Sequence, residues 1–363
     1  MKISLRFSLG RILLGLGVIF TSGVSVSVLA AGRDVSNDTY TVIVSALHAP
    51  RGLTFGPDDR LFVAEAGQGG DPVAYNGAID EIVNPQSNHA TLRTVVDGIA
   101  SLSADGDIIG LGQISAPARG GIYAIVGESP QAIGVGAFGQ LLQATPSGKV
   151  RRLANVGAAN YVFTEKHPEL DPGGQFPDAN PYGVFVQPHH VYVVDAGANT
   201  LCEVLPNGRV KILAFFENNT LADSTPTCLA EGPDGALYVG TLSLVDSLVF
   251  GPSAIVYRVV PDELPPQAII GQSYEWATGL WPINGCAFGP DGSLYVSELI
   301  TASDFSGGDV VKIPFDDPAT HISLTGETLP FGAGVAVASD GTVYAVGLTV
   351  SGTDGFVARL TEH

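Results

Sequence analysis

Basic residues are scarce in this sequence. Lys and Arg together number 17 against 36 Asp and Glu, and the formal net charge at neutral pH is −19. The first 30 residues contain three basic and no acidic side chains, so the chain from residue 31 onward carries 14 basic and 36 acidic residues and a formal charge of −22. Such a surface repels phosphate groups, and we therefore expect neither nucleic acid nor anionic lipid as a partner.

Cysteine is also rare, and the recognisable catalytic motifs are missing. The three cysteines, Cys202, Cys228 and Cys286, are an odd number with no metal-binding spacing, so at least one is unpaired within the chain and the protein is no disulfide scaffold. We expect all three to be small core residues. An HExxH motif, a GxSxG motif, a P-loop and a GxGxxG after a strand are all absent. The one adjacent histidine pair is His189-His190. Neighbouring strand residues face opposite sides of a sheet, so we do not expect the two to bind one metal ion, and we place them in a solvated turn.

Long apolar runs are confined to the N-terminus. Lys2, Arg6 and Arg11 precede an apolar stretch at residues 12–20, and small residues follow as far as Ala30. This order predicts a secretory signal peptide over residues 1–30, with cleavage just after Ala30. The stretch is short for a membrane span, so we expect a secreted or periplasmic protein, not inserted in a membrane, with a single domain over residues 31–363.

A repeated unit fills the rest of the chain. A short apolar run, a Gly-Pro-Asp-Gly-like turn and a hydrophobic-aromatic-hydrophobic run recur six times, which is typical of a β-hairpin. The aromatic positions of the six units are Phe62, Tyr123, Tyr192, Tyr238, Tyr295 and Tyr344. In each unit a second hairpin follows the first, as at residues 200–213. No convincing amphipathic helix is predicted between the units. The pattern predicts an all-β, six-bladed β-propeller of four-stranded blades.

The two ends of the chain predict how the ring closes. The last unit has one strand after its hairpin, residues 355–360, and lacks an outer strand. The segment Thr39 to Leu47 is predicted to be a strand, and it lies ahead of the first repeated unit without belonging to any unit. Pairing these two segments would complete the last blade and cover an exposed sheet edge.

Several motifs resemble the ScyD/ScyE family of exported bacterial propellers, whose more distant relatives are NHL-repeat propellers. They are Ala49-Pro-Arg-Gly-Leu53, Asn180-Pro-Tyr-Gly183, the segment from Val194 to Leu201, and the repeated Gly-Pro-Asp-Gly-x-Leu-Tyr-Val. The resemblance spans most of the chain after residue 30. It implies the same fold and export, and it brings no established activity.

One set of polar residues emerges from aligning the repeats. In a propeller blade the start of the innermost strand lies beside the end of the second, at one mouth of the central channel. Those positions predict a ligand-binding set at this mouth, consisting of Arg51, Glu65, Asn180, Asp195, Asn284 and Glu298. Unit two supplies Gln113 at the equivalent position. A polar insertion, Glu165 to Asp178, would overhang the same mouth as a lid or as a passive surface loop.

The chemistry of this set leaves two kinds of ligand open. Glu65, Asp195 and Glu298 come from alternate blades, and oxygen ligands of this kind favour Ca²⁺ or Mg²⁺. Arg51 is instead suited to a substrate carboxylate. The alternative to a ligand site is a purely structural role, in which these side chains cap strand ends.

The sequence therefore predicts an exported, monomeric propeller that binds a small molecule, a cation or an exported protein partner at the channel mouth without catalysis. Two other functions remain open. One is a metal-assisted hydrolase similar to lactonase and strictosidine-synthase propellers, an analogy at the level of the fold. The other is a protein-interaction scaffold.

Overall fold

A computed structural model describes residues 39–104, 106–145, 147–171 and 173–361. Six small sheets form a ring, which confirms the predicted six-bladed propeller. The predicted signal peptide, residues 1–30, lies outside the described residues. No helix in the described part of the chain is long and apolar enough to span a membrane.

The first three blades are consecutive in the chain. Blade 1 contains β2 (Pro50–Phe55), β3 (Leu61–Glu65), β4 (Ala74–Val83), β5 (Thr91–Ala104) and β6 (Asp107–Ile109). Blade 2 contains β7 (Leu111–Ser115), β8 (Ile122–Val126), β9 (Gln140–Ala144) and β10 (Val150–Asn155). Blade 3 contains β11 (Pro181–Gln187), β12 (His190–Asp195), β13 (Thr200–Val204) and β14 (Val210–Phe216).

The other blades follow the same plan. Blade 4 contains β15 (Pro226–Glu231), β16 (Leu237–Thr241), β17 (Ala254–Val259) and β19 (Glu275–Leu280). Strand β18 (Ala268–Ile270), which lies between β17 and β19 in the sequence, joins blade 3 and pairs in parallel with β14. Blade 5 contains β20 (Ile283–Phe288), β21 (Leu294–Glu298), β22 (Asp309–Ile313) and β23 (Ile322–Ser323). Blade 6 contains β24 (Val335–Val337), β25 (Val343–Gly347) and β26 (Gly355–Leu360). Blades 1 and 3 thus have five strands instead of the predicted four.

The N-terminal strand closes the ring. Strand β1 (Tyr40–Leu47) pairs antiparallel with β26, from Tyr40 opposite Leu360 to Leu47 opposite Gly355. The first described residues of the chain therefore form the outer strand of its last blade, as predicted.

The repeated aromatic residues lie between blades. Tyr238 and Tyr344 are fully buried, and Phe62, Tyr192 and Tyr295 are nearly so. Tyr238 packs edge-on against Phe288 of the next blade at 5.0 Å between ring centroids. Burial of these large aromatic side chains between neighbouring sheets stabilises the contacts between blades.

Helices are more prominent than the sequence suggested. Helix α1 (Pro130–Ile133) is a single turn, α2 (Val156–Lys166) joins blades 2 and 3, and α3 (Leu244–Phe250) lies within blade 4. The sequence showed no amphipathic pattern between the repeated units, and α2 has none. Its buried side includes Asn160 and Thr164, which bond to neighbouring polar groups, so it lacks the apolar stripe that marks an amphipathic helix.

The cysteine prediction is wrong in one respect. Cys228 and Cys286 form a disulfide, with their Cα atoms 5.8 Å apart, and only Cys202 is a free, buried core residue. The two residues occupy equivalent positions on β15 and β20, the inner strands of blades 4 and 5. Inner strands converge at the centre of the ring, so equivalent positions in adjacent blades lie within bonding range.

Candidate functional site in the central channel

The channel has two mouths, which we name by the strand ends that surround them. The loop mouth lies where inner strands begin and second strands end, at residues such as Arg51 and Glu65. The hairpin mouth lies at the opposite end, where inner strands finish at residues such as Phe55 and Phe288.

A bulge marks the start of the inner strand in five blades. Pro50 faces Glu65 and Gly52 faces Ala64, so one residue of β2 has no partner on β3. The same interruption recurs in blades 3, 4 and 5, and in blade 2 the two residues before Ile114 oppose a single residue of β8. The extra residues of blades 1, 3, 4 and 5 are Arg51, Tyr182, Thr227 and Asn284. Bulges re-aim side chains at functional positions, so these residues define the candidate site.

Alignment of the repeats identified only part of this set. Of the predicted residues, Arg51 and Asn284 stand at bulges, whereas Asn180 precedes β11 and the bulge residue of blade 3 is Tyr182. Thr227 was missed in the same way. A proline precedes the bulge residue in blades 1, 3 and 4, and this local signal would have identified both.

Arg51 is buried and its charge is balanced. Its Nη2 forms an ion pair with Asp107 at 3.0 Å and also donates to the carbonyl of Ile108. Its guanidinium lies 5.8 Å from the Tyr182 ring centroid. Burial is the largest single effect and would lower the pKa of Arg51, but the interactions with Asp107 and Tyr182 together outweigh it, so the pKa is raised. The partner of Arg51 is thus Asp107, and not one of the three predicted carboxylates.

The three predicted carboxylates have a common arrangement. Each accepts a backbone N–H from the segment that leads into the inner strand of its own blade. Glu65 accepts from His48, Asp195 from Asn180 at 2.7 Å, and Glu298 from Trp281 at 2.8 Å. Asp195 accepts two more N–H groups, from Gly197 and Ala198. The structure therefore places these side chains as caps in separate blades.

Burial shifts the acidity of all three groups. Desolvation raises the pKa of Glu65 to about 8, with a hydrogen bond to Asp80 adding to the shift and the His48 N–H opposing it. Desolvation likewise raises the pKa of Asp195 to about 7 and that of Glu298 to about 8, against the backbone N–H groups that favour the charged forms.

These shifts predict a stability that falls with rising pH. A carboxyl group with a raised pKa binds its proton more tightly in the folded state, so its contribution is complete below about pH 4 and is lost as the pH rises through about 7 to 8. Between pH 5 and pH 9, we expect the melting temperature of the triple variant Glu65→Gln/Asp195→Asn/Glu298→Gln to fall less than that of the parent. At pH 9 the variant should be the more stable protein.

Thermal unfolding at several pH values measures this effect. Asp304→Asn is the control, since a hydrogen bond with Ser306 lowers the pKa of this exposed carboxyl and it stays ionised throughout the range. An unchanged pH slope in the triple variant would show that the three buried groups do not titrate in this range.

The predicted metal set does not converge in the structure. Among the described residues, no group of three or more His, Cys, Asp or Glu side chains is placed to hold a metal ion. Glu65, Asp195 and Glu298 each remain with the backbone of their own blade.

Three bulge residues meet in the channel instead. The hydroxyl of Tyr182 is near both Arg51 and Asn284, and both neighbours influence its pKa, which burial raises. All three residues are at least nine-tenths buried. Arg51 Nε, Tyr182 Oη and Asn284 Oδ1 nevertheless have no hydrogen-bond partner of ordinary geometry. They supply one donor, one hydroxyl and one acceptor, from blades 1, 3 and 5.

Gln113 crosses the channel beside this triad. Its Nε2 donates to the carbonyl of Asn284 at 2.9 Å and to that of Arg51 at 3.3 Å, joining blade 2 to blades 5 and 1. Gln113 also lines a cavity of about 340 Å³ that reaches the hairpin mouth. All six inner strands contribute to its wall, through Phe55, Ser115, Phe185, Glu231, Phe288 and Val337 among others. The cavity thus lies at the opposite end of the channel from the predicted mouth.

The insertion before blade 3 is an ordered structure. Its first two residues end helix α2, and Asp171 accepts backbone N–H groups from Gly173, Gln175 and Phe176. Thr164 exchanges hydrogen bonds with Asp178 at its far end. These hydrogen bonds hold the far end of the insertion against helix α2 and Asp171 against the following loop. A lid function for the insertion stays a prediction.

Comparison with known proteins supports the fold and goes no further. No protein-family model and no curated protein sequence matches the chain. A luciferin-regenerating enzyme aligns with 12% identity and a TM-score of 0.52, over 88% of this chain and 93% of that one. A streptogramin B lyase aligns with 11% identity and a TM-score of 0.49, over 89% and 97%. Regucalcin from Agrobacterium tumefaciens, a calcium-binding protein, aligns with 12% identity and a TM-score of 0.46, over 90% and 95%. At 12% identity the similarity to the luciferin-regenerating enzyme supports the propeller fold alone.

Proposed function

We propose that this protein is an exported, non-catalytic module that binds a small neutral molecule with hydrogen-bonding groups in its central channel. The observation that carries the proposal is the triad of unpartnered polar atoms, Arg51 Nε, Tyr182 Oη and Asn284 Oδ1. Tyr182 interacts with both neighbours, but none of the three atoms has a partner of ordinary geometry, so a bound hydrogen-bonding molecule would satisfy them better than they satisfy one another.

The chemistry of the triad defines the ligand. Arg51 Nε–H needs an acceptor, Asn284 Oδ1 needs a donor, and the Tyr182 hydroxyl can serve either role. Because Asp107 already balances the charge of Arg51, a charged ligand would gain no counterion and would lose its hydration. A primary amide offers an adjacent acceptor and donor without charge, which suits all three atoms.

The cavity at the hairpin mouth is the route of entry that we propose. It leads along the inner strands to Gln113, whose amide bonds to the carbonyls of two triad residues. A volume of about 340 Å³ falls within the range of small-molecule sites. Since one chain supplies all six blades around the cavity, a monomer suffices for binding.

Export is part of the proposal, and the disulfide supports it. The Cys228–Cys286 bond would persist in an oxidising compartment and would be rare in the cytosol. This agrees with the secretory signal predicted for residues 1–30 and with the resemblance to the ScyD/ScyE family. N-terminal sequencing of exported protein should find a chain that begins near Ala31.

Ligand-observed NMR with three small probes tests the binding site. We expect acetamide to show saturation transfer from the protein, and acetate and methylammonium to show none. Tyr182→Phe should abolish the acetamide signal, because it removes one of the three polar atoms at constant shape. Tyr344→Phe is the matched control, since it removes another buried, unpartnered hydroxyl between blades 6 and 1.

The opposite results are equally informative. If none of the three probes binds, or if all bind alike in parent and variant, the triad holds only water and the proposed ligand class is wrong. A loss of binding in both tyrosine variants would show that the substitutions destabilise the ring in general and do not act at the triad.

A hydrolase is the second candidate, favoured by one observation. Desolvation, together with the nearby Asp80 carboxyl group, raises the pKa of Glu65 to about 8, within the range of a general acid. Hydrolysis of γ-butyrolactone by the parent, lost in Glu65→Gln with folding intact, would favour this candidate over pure binding. No hydrolysis above that of a heat-inactivated sample would count against it.

A further inference from the structure

A second cavity lies on the outer side of blade 3, away from the channel. It encloses about 220 Å³ between the end of helix α2, the 3-10 turn at Pro168–Leu170, and strands β14 and β18. Strand β18 crosses over from the blade 4 segment of the chain to form one wall. We name this cavity the blade 3 pocket.

Its lining is mostly apolar and aromatic. Phe163 and Leu170 come from the helix side, and Phe215 and Ile269 from the strand side. Phe176 stands edge-on to Phe215, with ring centroids 6.4 Å apart. Aromatic walls of this kind favour a flat apolar ligand, through contacts that prefer edge-to-face and offset geometry.

His167 gives the pocket a specific polar group. Its ring lies 4.7 Å from the Phe163 ring, and its Nδ1 is 2.9 Å from Glu169 Oε1. A hydrogen bond from Nδ1 to the carboxylate leaves Nε2 of the neutral imidazole as an acceptor. His167 lines the pocket and its side chain is partly exposed, so it is the acceptor that we assign to a ligand at the pocket entrance.

The helix-side wall is held in place by hydrogen bonds, of which that between Thr164 and Asp178 is buried. Asp171 accepts three backbone N–H groups of the following loop, and Asn218 Nδ2 donates to the carbonyl of Leu170 at 3.3 Å. Thr164 fixes the helix to Asp178. A wall that is already ordered lowers the entropic cost of binding.

We propose that the blade 3 pocket binds a small monocyclic aromatic molecule that carries one hydroxyl group. A cavity of about 150 Å³ is sufficient for benzene, so the 220 Å³ here accommodate one ring and a short substituent. The ring contacts Phe163 and Phe215, and the hydroxyl donates to His167 Nε2. This site is independent of the channel, and neither proposal depends on the other.

Saturation-transfer NMR with benzyl alcohol and toluene tests the proposal on the full mature chain. The two probes share the ring and differ in the hydroxyl. We expect both to bind, with benzyl alcohol about fivefold tighter, the effect of one ordinary hydrogen bond. Dissociation constants on the order of 1 mM are expected for molecules of this size.

Two tryptophan variants locate the site. Ile269→Trp should fill the pocket entrance and abolish both signals, because Ile269 is 51% exposed on the short strand β18. Ile322→Trp is the matched control, since Ile322 is 43% exposed on the outer strand of blade 5 and lies outside the pocket. Binding that survives in Ile269→Trp, or is lost equally in both variants, would overturn the assignment to this pocket.

A third variant tests the role of the imidazole. His167→Phe keeps an aromatic ring beside Phe163 but removes the acceptor, so the preference for benzyl alcohol over toluene should fall from about fivefold to none. Retention of the preference would overturn the proposed hydrogen bond and the hydroxyl requirement. A folded state of every variant is confirmed by its melting temperature.

Discussion

Deletion of residues 31–47 is expected to abolish the cooperative thermal transition of the protein. The deletion removes β1, the outer strand of blade 6, and leaves β26 as an unpaired edge. It also removes the buried side chains Ile43 and Leu47, which pack in the core that joins blades 6 and 1. An open edge promotes aggregation, and loss of this core weakens the junction that closes the ring.

Thermal melting and size-exclusion chromatography measure the effect. Deletion of residues 31–38 alone is the matched control, because it leaves β1 whole, and this variant should melt like the mature parent. If the longer deletion also melts like the parent and stays monomeric, the closure by β1 contributes nothing to stability. Addition of a peptide of residues 39–47 should restore part of the lost stability by re-forming the strand pair.

Removal of the disulfide is expected to lower the free energy of unfolding by about 2–4 kcal/mol. Cys228 and Cys286 close a loop with a sequence separation of 58, and the bond joins the inner strands of blades 4 and 5 beside the cavity. The double variant Cys228→Ala/Cys286→Ala should unfold at a lower urea concentration than the parent. Reduction of the parent with dithiothreitol should produce the same shift.

Cys202→Ala provides the control for loss of a buried sulfur. Its thiol lies among Asn160 and Thr200 and forms no disulfide, so dithiothreitol should shift the unfolding of this variant as much as that of the parent. A double variant as stable as the oxidised parent would show that packing between blades 4 and 5 holds them without the covalent bond.

Local sequence patterns predicted the repeating elements because hairpin chemistry is local. Positive backbone φ angles are needed in tight turns, and Gly235, Gly292 and Gly341 adopt them at the predicted positions. Alternating apolar residues and a repeated aromatic then define each hairpin and its buried face. Strand β1 was also predictable, since it was the segment left over when the units were counted.

The candidate site was only half predictable, for a geometric reason. Arg51 and Asn284 were identified because repeat alignment matched their positions. Tyr182 was missed because the alignment matched Asn180 to Arg51, although the residue at the equivalent bulge, directly after a proline, is Tyr182. The partner of Arg51, Asp107, lies 56 residues away on a strand outside the repeat, so no local spacing indicates it.

The sequence by itself determined the all-β class, the count of six units, the closing strand and the acidic surface, because turns, strand alternation and charge are properties of short segments or of composition. Only the tertiary structure decided the disulfide, the partners of Arg51, the three unpartnered polar atoms and the two cavities. These features depend on distances between residues that lie far apart in the sequence, which the packing of strands and connecting segments within and between blades sets. A pattern within one repeat carries no information on such distances.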